Sequence, residues 1–245
     1  MQINWRKPLH WWRFALGVAL AALLSVGVVQ ITHLPVFQLH RIQVVGAQHV
    51  NLAQTQWVIQ QYAHGSLFSV DLDQVRIGFG KLPWVRTVDV RRKWPDGLVV
   101  TLQEQQPLAR WNGDALLNLQ GEVYVAASDA DLPQLSGPED SHLWVAQMWR
   151  RLAGLLEPIG RKPVALALNA LQSWQMTLDN GVVIKLGRDQ PEARLARWVL
   201  LYPAMMTQLD APLAKVDLRY PQGFAVQLAP VKSPAQAGHT QGKLS

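Results

Sequence analysis

KLPWVRTVDVRRKWPDGLVVTLQEQQPLARWN, from Lys81 to Asn112, alternates apolar and polar side chains around one turn signal. Val88 and Val90 share one face while Thr87, Asp89 and Arg91 take the other, as in a half-buried strand. Pro95, Asp96 and Gly97 supply turn chemistry, and the return strand places Leu98, Val100 and Leu102 together. The reading is a hairpin with one apolar side. Arg86, Arg91, Arg92 and Lys93 are assigned to a solvated sheet face rather than to a ligand cradle, because such faces are normally polar.

Upstream, HRIQVVG (40–46) alternates in the same way and stops at Gly46. Asn51 is placed to cap a helix running to about Tyr62, with Leu52, Val58, Ile59 and Tyr62 on its apolar stripe. A second helix starts near Ser69 or Asp71 and carries Leu72, Val75 and Phe79, after which Pro83 forces extended geometry. The unit 36–105 therefore runs strand, helix, helix, strand, strand, and its two helices cover a single sheet face.

Downstream of Pro107 the chain turns to short strands, with turns at Asn112–Asp114 and Gln120–Gly121. A polar stretch, 128–140, leads to a helix from Ser141 to Glu157 carrying Leu143, Trp144, Met148, Leu152 and Leu155. PVALALNAL, SWQMTL and VVIKLG then read as consecutive antiparallel strands, the last two joined by Asp179-Asn180-Gly181. Asp189, Pro191 and Glu192 open a helix to about Leu209 with Leu195, Val199, Tyr202 and Met206 inward, and Pro203 should kink it or end it early. KVDLRYPQGFAVQL closes the β-rich region, 107–229, and 230–245 lacks apolar periodicity and is expected to be disordered.

The run FALGVALAALLSVGVVQI from Phe14 is apolar enough to cross a hydrocarbon core as a helix, placed at 14–32. Trp5, Trp11 and Trp12 precede it at headgroup level, and Arg6, Lys7 and Arg13 set residues 1–13 on the cytoplasmic side. Much of the formal charge of +6 belongs to this anchor, and with the folded part outside the cytoplasm no nucleic-acid partner is expected. The apolar run exceeds a cleaved signal's, so it is read as retained.

With no cysteine there is no disulfide, thiolate nucleophile or cysteine-ligated metal. HExxH, GxSxG and SxxK are absent, and the seven histidines are scattered singly. GFGK (78–81) is a helix stop rather than a phosphate loop, and Asp179 and Asp217 sit where turns and strand faces ordinarily carry aspartate. The eleven tryptophans divide between membrane interface and core positions. No catalytic residue, metal or cofactor is expected. The rivals to a binding protein are a membrane-anchored cell-wall enzyme and a chaperone for transported polypeptides.

LPWVRTVDVRRKWPDGLVVTLQEQQPLARWN, SWQMTLDNG, RLARWVLLYP and VDLRYPQGFAV, in that order, resemble the FtsQ family of bacterial cell-division proteins. The resemblance implies an α+β chain: a single transmembrane helix, a POTRA (polypeptide-transport-associated) domain of β-α-α-β-β order, and a C-terminal β domain of antiparallel sheet and packed helices. It implies a single-pass inner-membrane scaffold of the septum that binds FtsB and FtsL, linking early and late division proteins and helping control septal peptidoglycan synthesis. FtsB would add a strand to the β domain, and the matching positions are Arg219, Tyr220, Gln222, Gly223 and Phe224. The same physics follows from the residues. Pro221 cannot donate to a ladder, so it belongs at a turn, bulge or edge, and the last strand has no following strand to pair with. Tyr220 suits an interface and a core equally. Leu171 and Gln172 stand where the family carries basic residues before SWQ, leaving Arg150, Arg151 or Arg194 as spatial replacements, while Pro221 and Phe224 make this turn more apolar.

Overall fold

The computed structural model describes residues 9–32 and 38–230, with side chains in the first helix from Arg13 to Ser25. Trp5, Arg6 and Lys7, on which the orientation rests, and residues 231–245 of the expected disordered tail lie outside the described residues. Helix α1, Leu9–Thr32, forms where the apolar run lies but starts upstream of Phe14. Its described apolar side chains, Phe14, Leu16, Val18, Leu20, Leu23 and Leu24, are all exposed, and the Ser25 hydroxyl donates back to the Ala22 carbonyl at 2.7 Å. Among the described residues no helix is long and apolar enough to cross a membrane.

The chain divides into two compact units, residues 1–105 and 106–245. After α1, unit 1 holds β1 (Arg41–Val45), α2 (Leu52–Tyr62), α3 (Leu72–Gly80), β2 (Val85–Lys93) and β3 (Gly97–Glu104). The sheet order is β1-β3-β2. β3 pairs in parallel with β1, Ile42 opposite Leu98, and antiparallel with β2, Val90 opposite Val100. Parallel pairing needs a long crossover, which the two helices provide. Asn51 and Gln54 form a reciprocal cap at the start of α2, and Asp71 accepts from the Asp73 and Gln74 N–H groups at 2.9 and 3.1 Å. Each cap contributes about 1 kcal/mol.

The core joins Val58, Leu67, Val75 and Phe79 from the helical layer to Leu98, Val100 and Leu102 from the sheet. Leu52 is not part of it. At 72% exposure it lies outside the stripe, and the buried residue of that turn is Thr55, whose hydroxyl returns to the Asn51 carbonyl. Pro83 sits in a tight turn, with Leu82 N–H on the Phe79 carbonyl and Val85 N–H on the Leu82 carbonyl, so extended geometry begins only at Val85. Arg92 also departs from expectation. It has the parity of Val88 and Val90, and its guanidinium donates to the carbonyls of Leu67 (2.7 Å) and Val70 (3.1 Å), tying the loop before α3 to the sheet.

The loop after β1 turns at Gly46, whose φ of +88° and closeness to the Leu102 carbonyl exclude a side chain. Glu104 then gathers the chain beyond it. Its carboxylate accepts from the backbone N–H groups of Gln48, His49 and Val50 and from the His49 ring, which stacks on Trp84. Burial works to raise this carboxyl's pKa, but the His49 hydrogen bond and the three backbone donors outweigh it and hold it below the ordinary value.

Unit 2 contains β4 (Pro107–Trp111), β5 (Ala115–Asn118), β6 (Val123–Tyr124), β7 (Gln134–Ser136), α4 (His142–Leu156), β8 (Pro163–Leu168), β9 (Trp174–Leu178), β10 (Val183–Gly187), α5 (Pro191–Met206), β11 (Leu213–Asp217) and β12 (Ala225–Leu228). They form one sheet in the order β12-β11-β10-β9-β8-β7-β4-β5-β6. The antiparallel run β8-β9-β10 is as expected from its alternation and its Asn180-Gly181 turn. β7, inside the stretch expected to be polar loop, is a further strand pairing in parallel with both β4 and β8. The buried face of α4 is Val145, Ala146, Met148, Trp149, Leu152 and Leu156, so Met148 and Leu152 are inward as expected, whereas Leu143 (56% exposed) and Trp144 face outward. α5 runs through Pro203 and ends early, at Met206 rather than Leu209, and it packs Leu195, Trp198, Val199 and Tyr202 on the sheet while Met206 is left exposed.

Candidate partner-binding edge

Among the described residues β12 terminates the large sheet. It has β11 on one side, paired antiparallel with Val216 opposite Val226, and Ala225, Val226, Gln227 and Leu228 are all exposed. Such a strand presents a row of backbone donors and acceptors on its outer side. The opposite edge, β6, is only 2 residues long, too short to template much pairing. β11 itself is seated in parallel on β10, Ile184 opposite Val216, and Leu218 N–H on the Lys185 carbonyl at 2.8 Å extends that pairing to the start of the turn.

The five residues matched to the family's binding segment all lie in the β11–β12 connection. Arg219 is held by Asp217, Nε to Oδ1 at 2.9 Å and Nη2 to Oδ2 at 2.6 Å. The hydrogen bond from Arg219 is the chief reason the Asp217 carboxyl lies below its ordinary pKa, and Asp217 in turn raises the guanidinium's. Tyr220 is 54% exposed, which decides between its two readings: it does not close the core. Gln222 is exposed, Gly223 is half-buried, and Phe224 packs partly against the core of unit 2. Pro221 is in the turn, and its carbonyl accepts from Arg197 Nη1 at 2.8 Å, pinning the connection to α5.

Two lysines flank this edge that the sequence reading passed over. Lys185 on β10 stands opposite Asp217 in register, and Lys215 precedes it on β11. The Lys215 ammonium is the main cause, with Arg219 next to it, of a Lys185 pKa below the ordinary lysine value. Their outward parity in VIKLG and LAKVD is the signal that could have found them. With Asn169, Gln175 and Arg219, Lys185 lines a shallow cleft of about 240 Å³. The face beside β12 thus suits acidic side chains on an incoming strand.

The spatial replacements considered for the family's basic residues are engaged inside unit 2: Arg150 with the Leu119 carbonyl, Arg151 with Glu192, and Arg194 with the Leu186 carbonyl. Leu171 projects at the surface beside Gln172, whose φ is +58°. Of the two aspartates considered as acids, Asp217 is tied to Arg219, and Asp179 lies 3.8 Å from Arg161. Among the described residues no three metal-binding groups converge.

Residues 37–105 match the FtsQ-type POTRA domain, and residues 109–219 match the C-terminal region of the FtsQ/DivIB cell division proteins. The second match stops at Arg219, so β12 and most of its connection lie beyond it. The chain is 35% identical to the Cell division protein FtsQ of Bordetella pertussis, with 92% of each chain aligned. It is 34% identical to that of Nitrosospira multiformis over 88% of this chain and 93% of the relative, and 43% identical to that of Shewanella oneidensis over 70% and 66%. A POTRA fold followed by the matching C-terminal domain, with relatives aligned along nearly the whole length, shows that this chain belongs to the FtsQ family of cell division proteins.

Proposed function

We propose that this chain is a non-enzymatic scaffold of the division machinery, anchored by α1 in the inner membrane with residues 1–13 cytoplasmic and both units periplasmic, and acting at the septum. In that placement residues 14–32 of α1 cross, and as a helix they rise about 29 Å, close to the about 30 Å of a hydrocarbon core. In this reading the partner is FtsB, which adds a strand beside β12, with FtsL held in the same complex and other division proteins assembled around it, and septal peptidoglycan synthesis controlled through that assembly.

The observation that carries the reading is β12 as an exposed edge with Tyr220 at its entrance. Strand addition draws affinity from main-chain hydrogen bonds and specificity from alternate side chains. Tyr220 supplies a rigid amphipathic contact, and Arg219, Lys185 and Lys215 supply positive charge. Titration calorimetry of the full chain in detergent with the periplasmic segment of its cognate FtsB tests this. Binding that Tyr220→Ala and Phe224→Arg abolish, with hydrogen exchange of the core unchanged, supports capture at β12. Binding indifferent to both variants moves the site elsewhere on the chain.

A further inference from the structure

We propose that the end of unit 1 bearing the β2–β3 turn rests on the surface of an anionic bilayer, with Trp94 and Phe68 at headgroup level and Arg41, Lys93 and His40 on lipid phosphates. The inference depends on α1 being the membrane span. Trp94, at the turn, is 63% exposed and Phe68, in the loop before α3, is 42% exposed. Their rings meet edge to face with centroids 5.3 Å apart. Arg92, by holding the carbonyls of Leu67 and Val70, carries the Phe68 loop against the sheet end, so the two rings form one platform. Amphipathic and aromatic side chains of this kind settle at the membrane–water interface.

Beside the platform is an open cleft of about 510 Å³, lined by His40, Arg41, Gln43, Lys93, Trp94 and Asp96. Its carboxylate, Asp96, is already met by Arg41 at 3.3 Å, and among the described residues Lys93 reaches the neutral Gln43. Asp71, the acid of the neighbouring loop, is occupied as the cap of α3. The cleft therefore carries excess positive charge next to exposed aromatic surface, the pairing that suits a phospholipid headgroup rather than an apolar peptide.

Covalent geometry lets this end reach the bilayer. α1 ends at Thr32 and β1 begins at Arg41, at the same end of the sheet as the turn, since Arg41 pairs with Gly97. A chain extends at most about 3.5 Å per residue, so residues 33–40 keep Arg41 within roughly 30 Å of the helix exit. The other end of the sheet, where β1 leads toward Leu52, is farther along the tether.

The chain has no cysteine, so a nitroxide can be placed at a single site. The full chain is reconstituted into phosphatidylethanolamine vesicles with and without phosphatidylglycerol, labelled at Trp94→Cys, at Pro95→Cys, which leaves Trp94 in place, or at Leu52→Cys as the far-end control. The expected result is protection from a water-soluble nickel chelate and gain of oxygen contact at 94 and 95 but not at 52, strongest with phosphatidylglycerol. A basic side chain near an anionic leaflet favours association about fivefold, so Arg41→Gln with Lys93→Gln should cut the surface-bound population on the order of 25-fold. Equal chelate exposure at 95 and 52 in the anionic vesicles, in chain that resists alkaline extraction, overturns the inference alone. Chain that alkaline washing removes overturns it together with the membrane span.

Discussion

Removing the Glu104 carboxylate is the sharpest test of how unit 1 is held closed. Its oxygens accept from Gln48 N at 2.7 Å, His49 N at 2.9 Å, Val50 N at 3.1 Å and His49 Nδ1 at 2.7 Å. In Glu104→Ala, water can replace the acceptor for the exposed Gln48 and His49 N–H groups but not easily for Val50, which is buried. The His49 ring is half exposed and is likewise open to water, so the Val50 N–H alone, at the lower value for a bond to a charged group, gives a cost of about 1.5 kcal/mol. Hydrogen exchange of the full chain in detergent reads this directly: exchange across residues 46–51 should quicken on the order of 10-fold, since each 1.4 kcal/mol is tenfold. Acceleration of less than about threefold would mean that water fully replaces the carboxylate, and the reasoning fails. The pH dependence gives a second reading. Because the folded pKa lies below the ordinary 4.5, this stabilisation is complete above that value and lost as pH falls through the lower folded one. Glu104→Gln should remove that component, so the two stability curves converge in acid.

Arg92→Ala should release the loop before α3, destabilising unit 1 by about 1–2 kcal/mol, and show as faster exchange at residues 66–71 with β1 little changed. Gly46→Ala should cost about 1–3 kcal/mol, because it combines a left-handed φ with a methyl group on the Leu102 carbonyl, and thermal unfolding would detect it. Pro203→Ala should act in the opposite direction. Pro203 lies exposed inside α5 and cannot donate to the Val199 carbonyl, so restoring the donor should stabilise unit 2 by about 1–3 kcal/mol, and an unchanged or lowered Tm would contradict this.

The parts of the fold legible in the sequence were those fixed by local chemistry. The hairpin from Val85 to Glu104, the caps at Asn51 and Asp71, and the Asn180-Gly181 hairpin each follow from a few adjacent residues. β7 was not legible because 3 residues define no period, and it is a strand only because β4 and β8 stand on either side. Which side of α4 turns inward was not legible, because its flanks are apolar too and only packing selects Trp149 over Trp144. Arg92 was hidden by the habit of assigning arginine to solvent, although its parity pointed to the helix side. At the candidate edge, Pro221, which cannot donate to a ladder, already marked a turn or edge position. The basic flank from Lys185 and Lys215 arises when β10 and β11, separated by all of α5, are laid side by side.

That parallel seating of β11 on β10 has a bearing on timing. A hairpin such as β9–β10 can close early and locally, whereas β11 must wait for the whole of α5 to form and cross. β12 has nowhere to lie until β11 is in place. The edge therefore depends on the α5 crossover for its place in unit 2, although β12 pairs with neither α5 nor β10.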